Sequence, residues 1–268
     1  MPLALQKLLL IEQRGAVEWV TLNRPDAANA LNAELVIALT DYFEGLRDRQ
    51  DIRVVVLRAQ GKHFCAGLDL SGSAFPENAR TAHNIWSLQR RIARIYVAMR
   101  RCPQPIIALI QGAACGGGFS LALAADIRIA GESARMNAAY IKIGLTGCDM
   151  GSSYFLPRLV GTSVASELLL TGRFIHAPRA LSVNLVSAVV PDSELQSAAH
   201  GYIDDMLLTS PMGLRLTKDA LNFSVDASSL EAAMAVEDRH QTLLALTEDA
   251  VEAGLAFFDK RKPEYRDA

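Results

Sequence analysis

The spacing of apolar positions changes several times along the first half of the chain, and each change marks an element. Leu8–Glu12 and Ala16–Leu22 read as two strands joined by a turn at Arg14-Gly15. After the punctuation Asn23-Arg24-Pro25-Asp26, the segment Glu34–Arg49 places Leu35, Ala38, Leu39, Tyr42, Phe43 and Leu46 on one helical face. Ile52–Ala59 is a continuous β-branched run, the pattern of a strand buried on both faces. A turn-rich stretch, residues 71–84, predicts a mobile surface loop. A long helical pattern then covers Ile85–Arg100 and stops at Cys102-Pro103-Gln104-Pro105. Ile106–Gln111 reads as a strand, Gly116–Ala125 as a glycine-started helix and Ile127–Ala130 as another strand.

Strand–helix–strand alternation of this kind predicts a layered α/β core with parallel pairing. From about Met150 the pattern turns almost wholly helical. Ser193-x-x-Gln196 and Ser228-x-x-Glu231 have the form of capping boxes that start two of these helices. The expected division is an α/β core over residues 1–195 and a helical module over 196–268.

Composition narrows the function classes. Of 268 residues, half are apolar and 21% charged, and 27 Lys+Arg against 29 Asp+Glu leave a formal charge of −2. That balance gives no electrostatic footprint for nucleic acid or for an anionic membrane. No window reaches 18 uninterrupted apolar residues, so no transmembrane helix is expected. The amino terminus lacks a small-residue cleavage site and reads as leading into a strand. Cys65, Cys102, Cys115 and Cys148 form no CxxC pair, and the five histidines show no HxH or HxxxH spacing. A disulfide framework or metal site is therefore not expected, and free thiols suit a cytoplasmic protein.

Two segments carry the candidate chemistry. Cys115-Gly116-Gly117-Gly118-Phe119-Ser120 lies between a buried strand and a helix. Its glycines allow close approach to the backbone, and a first helical turn offers unpaired N–H groups at the positive end of the dipole. The triplet does not fit a dinucleotide fingerprint, and no phosphate-binding GxxxxGK[ST] is present. The second segment, His63-Phe64-Cys65-Ala66-Gly67-Leu68-Asp69-Leu70, also follows a buried strand and bends at a small residue. Asp69 could act as an acid there, although a carboxylate beside a tight turn commonly satisfies local N–H groups.

Phe64–Leu70, the Gly116–Gly118 triplet and Asp126-Ile127 resemble the enoyl-CoA hydratase/isomerase (crotonase) superfamily. So do Leu22-Asn23-Arg24-Pro25, Asn29-Ala30-Leu31-Asn32 and Ala256–Pro263, all in order and at family-like spacing. The resemblance implies an α/β fold, a crotonase-like core of repeated ββα units with a C-terminal helical trimerisation region. It implies a homotrimer or dimer of trimers acting on an acyl-CoA thioester, with coenzyme A as part of the substrate and no separate cofactor. An enolate would be steadied by the backbone N–H groups of Leu68 and Gly117. CoA contacts are implied around Ala28 and along Ala66, Asp69 and Leu70. Phe257 and Lys260 match carboxyl-terminal positions that reach CoA, often in a neighbouring subunit. Lys260 also suits a solvated helix end.

The sequence departs from the hydratases of that family at the two positions where they carry glutamates, which here are Ser120 and Tyr140. Neither is a base at neutral pH in ordinary surroundings. Asp149 aligns, with a one-residue gap, with the acidic position of dienoyl-CoA isomerases and the region of the aryl-CoA dehalogenase nucleophile. It would handle protons, with Tyr140 assisting and Ser120 beside it; an N-cap for a helix starting near Met150 is its structural alternative. Glu77 and His83 in loop 71–84 are further acid–base candidates. Trp86 and Tyr96 suit core packing or an acyl channel. The leading expectation is an enoyl-CoA hydratase or isomerase. The alternatives are a dienoyl-CoA isomerase, an acyl-CoA hydrolase or dehalogenase built on Asp149, or a catalytically weak acyl-CoA binding protein.

Overall fold

Long β-branched runs become parallel strands because helices can then cover both faces of the sheet. The structure, a computed structural model, describes residues 7–71 and 81–268. In it β1 (Leu9–Arg14) and β2 (Val17–Leu22) form an antiparallel hairpin, in register from Leu9↔Leu22 to Arg14↔Val17. β2 then pairs in parallel with β3 (Val54–Ala59), β3 with β4 (Ile106–Ile110), β4 with β6 (Ile127–Gly131) and β6 with β9 (Ala188–Val190). A second, smaller sheet joins β5 (Ala113–Cys115), β7 (Arg135–Asn137) and β8 (Ile175–His176).

Side chains of the large sheet alternate between two cores, as a period of two requires. Val55 and Leu57 face a core shared with α1 (Ala33–Gly45), α2 (Ala82–Arg101), α3 (Gly117–Ala124) and α4 (Ser152–Thr171). Val54, Val56, Trp19 and Leu109 face Leu195, Ala199 and Ile203 of α6 (Leu195–Leu207). The helix covering the second face thus starts at Leu195.

The expected ββα repeat is visible in the connections. After β2 the chain makes a bridge at Leu31 and enters α1; after β3 it bridges at Cys65 before reaching α2. After β4 it forms β5 and enters α3, and after β6 it forms β7 and leads through a 3₁₀ turn (Ala139–Ile143) toward α4. The short second strands stack side by side. Three residues leave no readable period, which is why these strands were not predicted.

Asp126 explains its place in the motif set. Its carboxylate accepts from Ile106 N at 2.8 Å and pairs with Arg100 at 2.7 Å and Lys218 at 3.0 Å. Lys218, only 5% exposed, also donates to Met99 O and Gln104 O and so caps the end of α2. It reaches there from α7 (Pro211–Ser224), which is followed by α8 (Leu230–Leu244) and α9 (Glu248–Asp259).

Several expectations need correction. The strands β8 and β9, on either side of α5 (Ala177–Ser182), interrupt the region read as nearly all helix, and α4 is broken at Gly161 (φ 76°). Ser193 does not cap α6: residues Asp192–Glu194 form a 3₁₀ turn anchored by Ser133 N donating to the Asp192 carboxylate. The cap of α8 is Ser229, one residue later than expected, with its hydroxyl accepting from Ala232 N. Trp86 is exposed, with the Arg90 guanidinium over its ring. Part of the loop expected over 71–84, including Glu77, lies outside the described residues, whereas Thr81 caps α2 and His83 is exposed on its first turn. Among the described residues, no helix is long and apolar enough to cross a membrane.

Asn29 holds the first turn of this scaffold. It is fully buried in a left-handed conformation (φ 54°), which asparagine tolerates better than most residues. Its amide donates to Gln60 O and His63 O at 2.8 Å, and its oxygen accepts from Arg24 N at 2.7 Å. Asn29→Ala leaves these groups buried and unpaired, so urea unfolding should show a loss of about 2–4 kcal/mol.

Candidate active site

The stacked short strands bring two backbone segments together. Cys65 N donates to Ala113 O at 3.1 Å and Cys115 N donates to Cys65 O at 2.9 Å. Leu31 N donates to Gly67 O, and Asp69 N donates to Leu31 O. In a parallel ladder, hydrogen-bonding groups alternate in direction, so Leu68 N–H turns away from Leu31. Gly116 N donates to Asn137 O at 2.9 Å, and the next amide, Gly117, opens α3. Neither Leu68 N–H nor Gly117 N–H has an acceptor among the described residues.

Glycine permits this approach at two places. Gly67 adopts φ +96°, and a β-carbon there would sit 2.7 Å from Cys115 O and 3.4 Å from Gly117 N. At Gly118 a β-carbon would overlap the Cys65 carbonyl. Sequence position alone shows neither constraint, because the clash is with a distant segment.

Ala28 and Ala66 adjoin the pair, with Ala66 N donating to Ala28 O at 3.0 Å. Leu70 is exposed beside them. Asp69 takes the structural role of a carboxylate beside a turn: it accepts from Arg24 at 2.9 Å and from the Ser71 hydroxyl and amide. Phe257 and Lys260 are exposed near the end of α9, and no hydrogen bond or ring contact joins them to this rim among the described residues. One chain therefore gathers Ala28, Ala66, Leu68, Asp69 and Leu70, but not Phe257 or Lys260.

Ser120, one turn into α3, is fully buried, and its hydroxyl lies 3.2 Å from that of Tyr140. Both hydroxyls lie 3.4 Å from the Asp149 carbonyl oxygen. Burial pushes the Tyr140 phenol upward, against the hydrogen bonds from Ser120 and Ser152, so it remains neutral. The Asp149 carboxylate is half-buried; one oxygen accepts from Gln89 Nε2 at 2.5 Å and Met150 N at 2.8 Å. Asp149 is not the N-cap of α4, because Met150 (φ 50°) and Gly151 (φ 84°) intervene and Gly151 occupies that position. Two left-handed residues in succession turn the carboxylate away from the helix start.

α2 supplies two groups to this region. Tyr96 O–H donates to Gly117 O at 3.0 Å and contacts Met150 Sδ at 3.1 Å, while Gln89 lies two turns earlier on the same helical face. Gln89 escaped sequence reasoning because a lone glutamine in a helix carries no signal until packing fixes which face meets the site. Tyr96 and Met150 also line a cavity of about 1120 Å³, together with Leu123, Phe155 and Leu159. No group of three or more potential metal-ligating side chains occurs among the described residues.

Residues 12–268 match the enoyl-CoA hydratase/isomerase family along nearly the whole chain. The chain belongs to that family. Among its relatives, the probable enoyl-CoA hydratase EchA12 of Mycobacterium tuberculosis is 37% identical over 265 residues, covering 97% of this chain and 93% of that protein. The 2,3-dehydroadipyl-CoA hydratase of Escherichia coli is 34% identical, covering 96% and 98%. The crystal structure of a putative enoyl-CoA hydratase from Streptomyces coelicolor superposes with a TM-score of 0.93 at 33% identity, covering 100% of this chain and 97% of that one.

Asp69 gives this site a measurable pH signature. Its hydrogen bonds with Ser71 and Arg24 hold its carboxyl at about 2, down from 3.8. The stabilisation is present above the ordinary aspartate value and fades as pH falls toward 2. Asp69→Asn should cost about 1–3 kcal/mol at neutral pH. The gap from wild type, followed by denaturant unfolding, should narrow between about pH 4 and 2.

Proposed function

We propose that this enzyme binds an acyl-CoA thioester with its carbonyl oxygen between Leu68 N–H and Gly117 N–H, and that Asp149 transfers protons at the acyl carbons. The observation that carries the reading is the pair of unpaired amides held side by side, one by ladder alternation and one by a helix start. A thioester carbonyl gains negative charge as its α-proton leaves. Fixed amide dipoles stabilise that charge without reorganising, each donor contributing on the order of 3 kcal/mol. Coenzyme A enters as part of the substrate along Ala28, Ala66, Asp69 and Leu70.

The side chains favour proton relocation over water addition. Hydration asks for one group to activate water and another to protonate carbon. Ser120 and Tyr140 are neutral hydroxyls turned toward each other and toward the Asp149 carbonyl, which leaves the Asp149 carboxylate as the proton carrier. Tyr140 and Ser120 then fix the Asp149 peptide. A carboxylate that removes a proton from one carbon and returns it to another performs double-bond isomerisation. The hydratase names of the relatives support a second reading, in which Asp149 also activates water.

The carboxyl-terminal helices support assembly as a homotrimer or dimer of trimers. Leu221, Leu230, Leu246, Val251, Phe257 and Phe258 all expose large apolar side chains on or beside α7–α9, more than an isolated chain commonly shows in one region. Phe257 and Lys260 would then serve a neighbouring subunit's CoA site. Sedimentation should give a mass three or six times that of one chain.

Asp149→Asn should lower turnover by about 10²–10⁴ on the best substrate among 2-enoyl-, 3-enoyl- and dienoyl-CoA thioesters, with the thioester Kd nearly unchanged. Unaltered turnover would remove Asp149 from the chemistry. A covalent aspartyl adduct in mass spectra would point instead to hydrolysis or dehalogenation. Tight binding without turnover on any thioester would make the protein an acyl-CoA binder.

A further inference from the structure

The structure assigns Gln89 as the positioning residue that aims the Asp149 carboxylate, through a hydrogen bond from its side-chain amide to one carboxylate oxygen. The assignment rests on the reading of Asp149 as the proton-transferring group. Gln89 Nε2 lies 2.5 Å from Asp149 Oδ1, and Met150 N donates to the same oxygen at 2.8 Å. An amide oxygen facing a carboxylate would be repelled, so it is the NH₂ end that points inward. With both donors on Oδ1, Oδ2 accepts no hydrogen bond among the described residues and remains the oxygen able to take a proton.

This arrangement matters because the carboxylate has few other supports. Met150 N is the amide of the adjacent residue and moves with the Asp149 peptide, so it cannot fix the side chain relative to the rest of the site. Gln89 can, since it stands on α2 and reaches across 60 positions in sequence. Tyr96, on the same helix, holds Gly117 O and Met150 Sδ. One rigid helix thereby sets the distance between the amide that binds the carbonyl and the carboxylate that moves the proton. Catalytic groups displaced by even about 1 Å lose orders of magnitude in rate.

Among the described residues, Tyr96 from α2 and Tyr140 from the 3₁₀ turn are titratable groups that interact electrostatically with Asp149. α3 and α4 contribute Ser120 and Ser152, which carry no charge. Burial raises Tyr96 and Tyr140, so both stay neutral through the acidic and neutral range. Removing the Gln89 donor takes away a hydrogen bond that favours the charged carboxylate, so its proton-bound form becomes relatively more favourable.

The test uses the full-length protein and deuterium incorporation at Cα of a 3-enoyl-CoA in D₂O, followed by NMR. Gln89→Leu should lower the exchange kcat about tenfold or more, the loss expected for one hydrogen bond to a charged group, with KM changing less than about twofold. The acidic limb of its kcat–pH profile should move to higher pH. Gln89→Glu keeps the shape and adds a second carboxylate, and should move that limb further; it is the variant read if Gln89→Leu does not fold. Exchange abolished by Asp149→Asn, but with wild-type kcat and limb in the folded Gln89 variant, would overturn the assignment while Asp149 keeps its role. Wild-type exchange in Asp149→Asn would overturn the reading of Asp149 and the assignment with it. A change in KM alone would place Gln89 in substrate binding and overturn the positioning role.

Discussion

Residues 65–69 and 113–118 approach so closely that a β-carbon at Gly67 or Gly118 would strike main-chain oxygen. That contact sets the rest of the site. It exists because short second strands stack beside a larger parallel sheet, each turn placing a few residues against the preceding turn. Ladder alternation turns Leu68 N–H to the side that the Leu31 bridge does not use, and the start of α3 leaves Gly117 N–H without an intrahelical partner. Two donors come out side by side from hydrogen-bonding rules alone.

Around this fixed pair, the side chains divide by charge. The Ser120–Tyr140 couple is buried, neutral and occupied with the Asp149 peptide, whereas the Asp149 carboxylate is half-buried and partly free. Met150 and Gly151 achieve that difference with two consecutive left-handed residues, which separate Asp149 from the helix it precedes. A carboxylate capping that helix would have spent its oxygens on backbone amides. Lys218 adds a mechanical link, since it ties α7 to the end of α2, the helix carrying Gln89 and Tyr96.

Much of this was legible in the residues. The β-branched runs gave the central strands, since burial on both faces leaves no other pattern, and the glycine triplet marked the start of α3. The place of Asp69 beside a bend points to a structural carboxylate, and it binds Arg24 and Ser71. Three kinds of feature were hidden. Strands of two or three residues have no period to read. The Ser193 cap failed because Asp192 is anchored by a loop from another strand, a tertiary fact. Gln89 looked like any polar helix residue until packing placed Asp149 opposite it. The family match extends the same lesson: motifs spread along the chain identify the enoyl-CoA hydratase/isomerase family.

The amides of Leu68 and Gly117 belong to the main chain, and every residue type except proline supplies the same N–H. In the proposed carbonyl-binding role, these amides are insensitive to most changes of side chain, provided the glycines keep the two segments close. The groups proposed to move protons are side chains on other elements, and exchanging them leaves the two amides in place. The fold works as an interchangeable-tool holder: the grip is written in backbone geometry, and the cutting edge in a few replaceable residues.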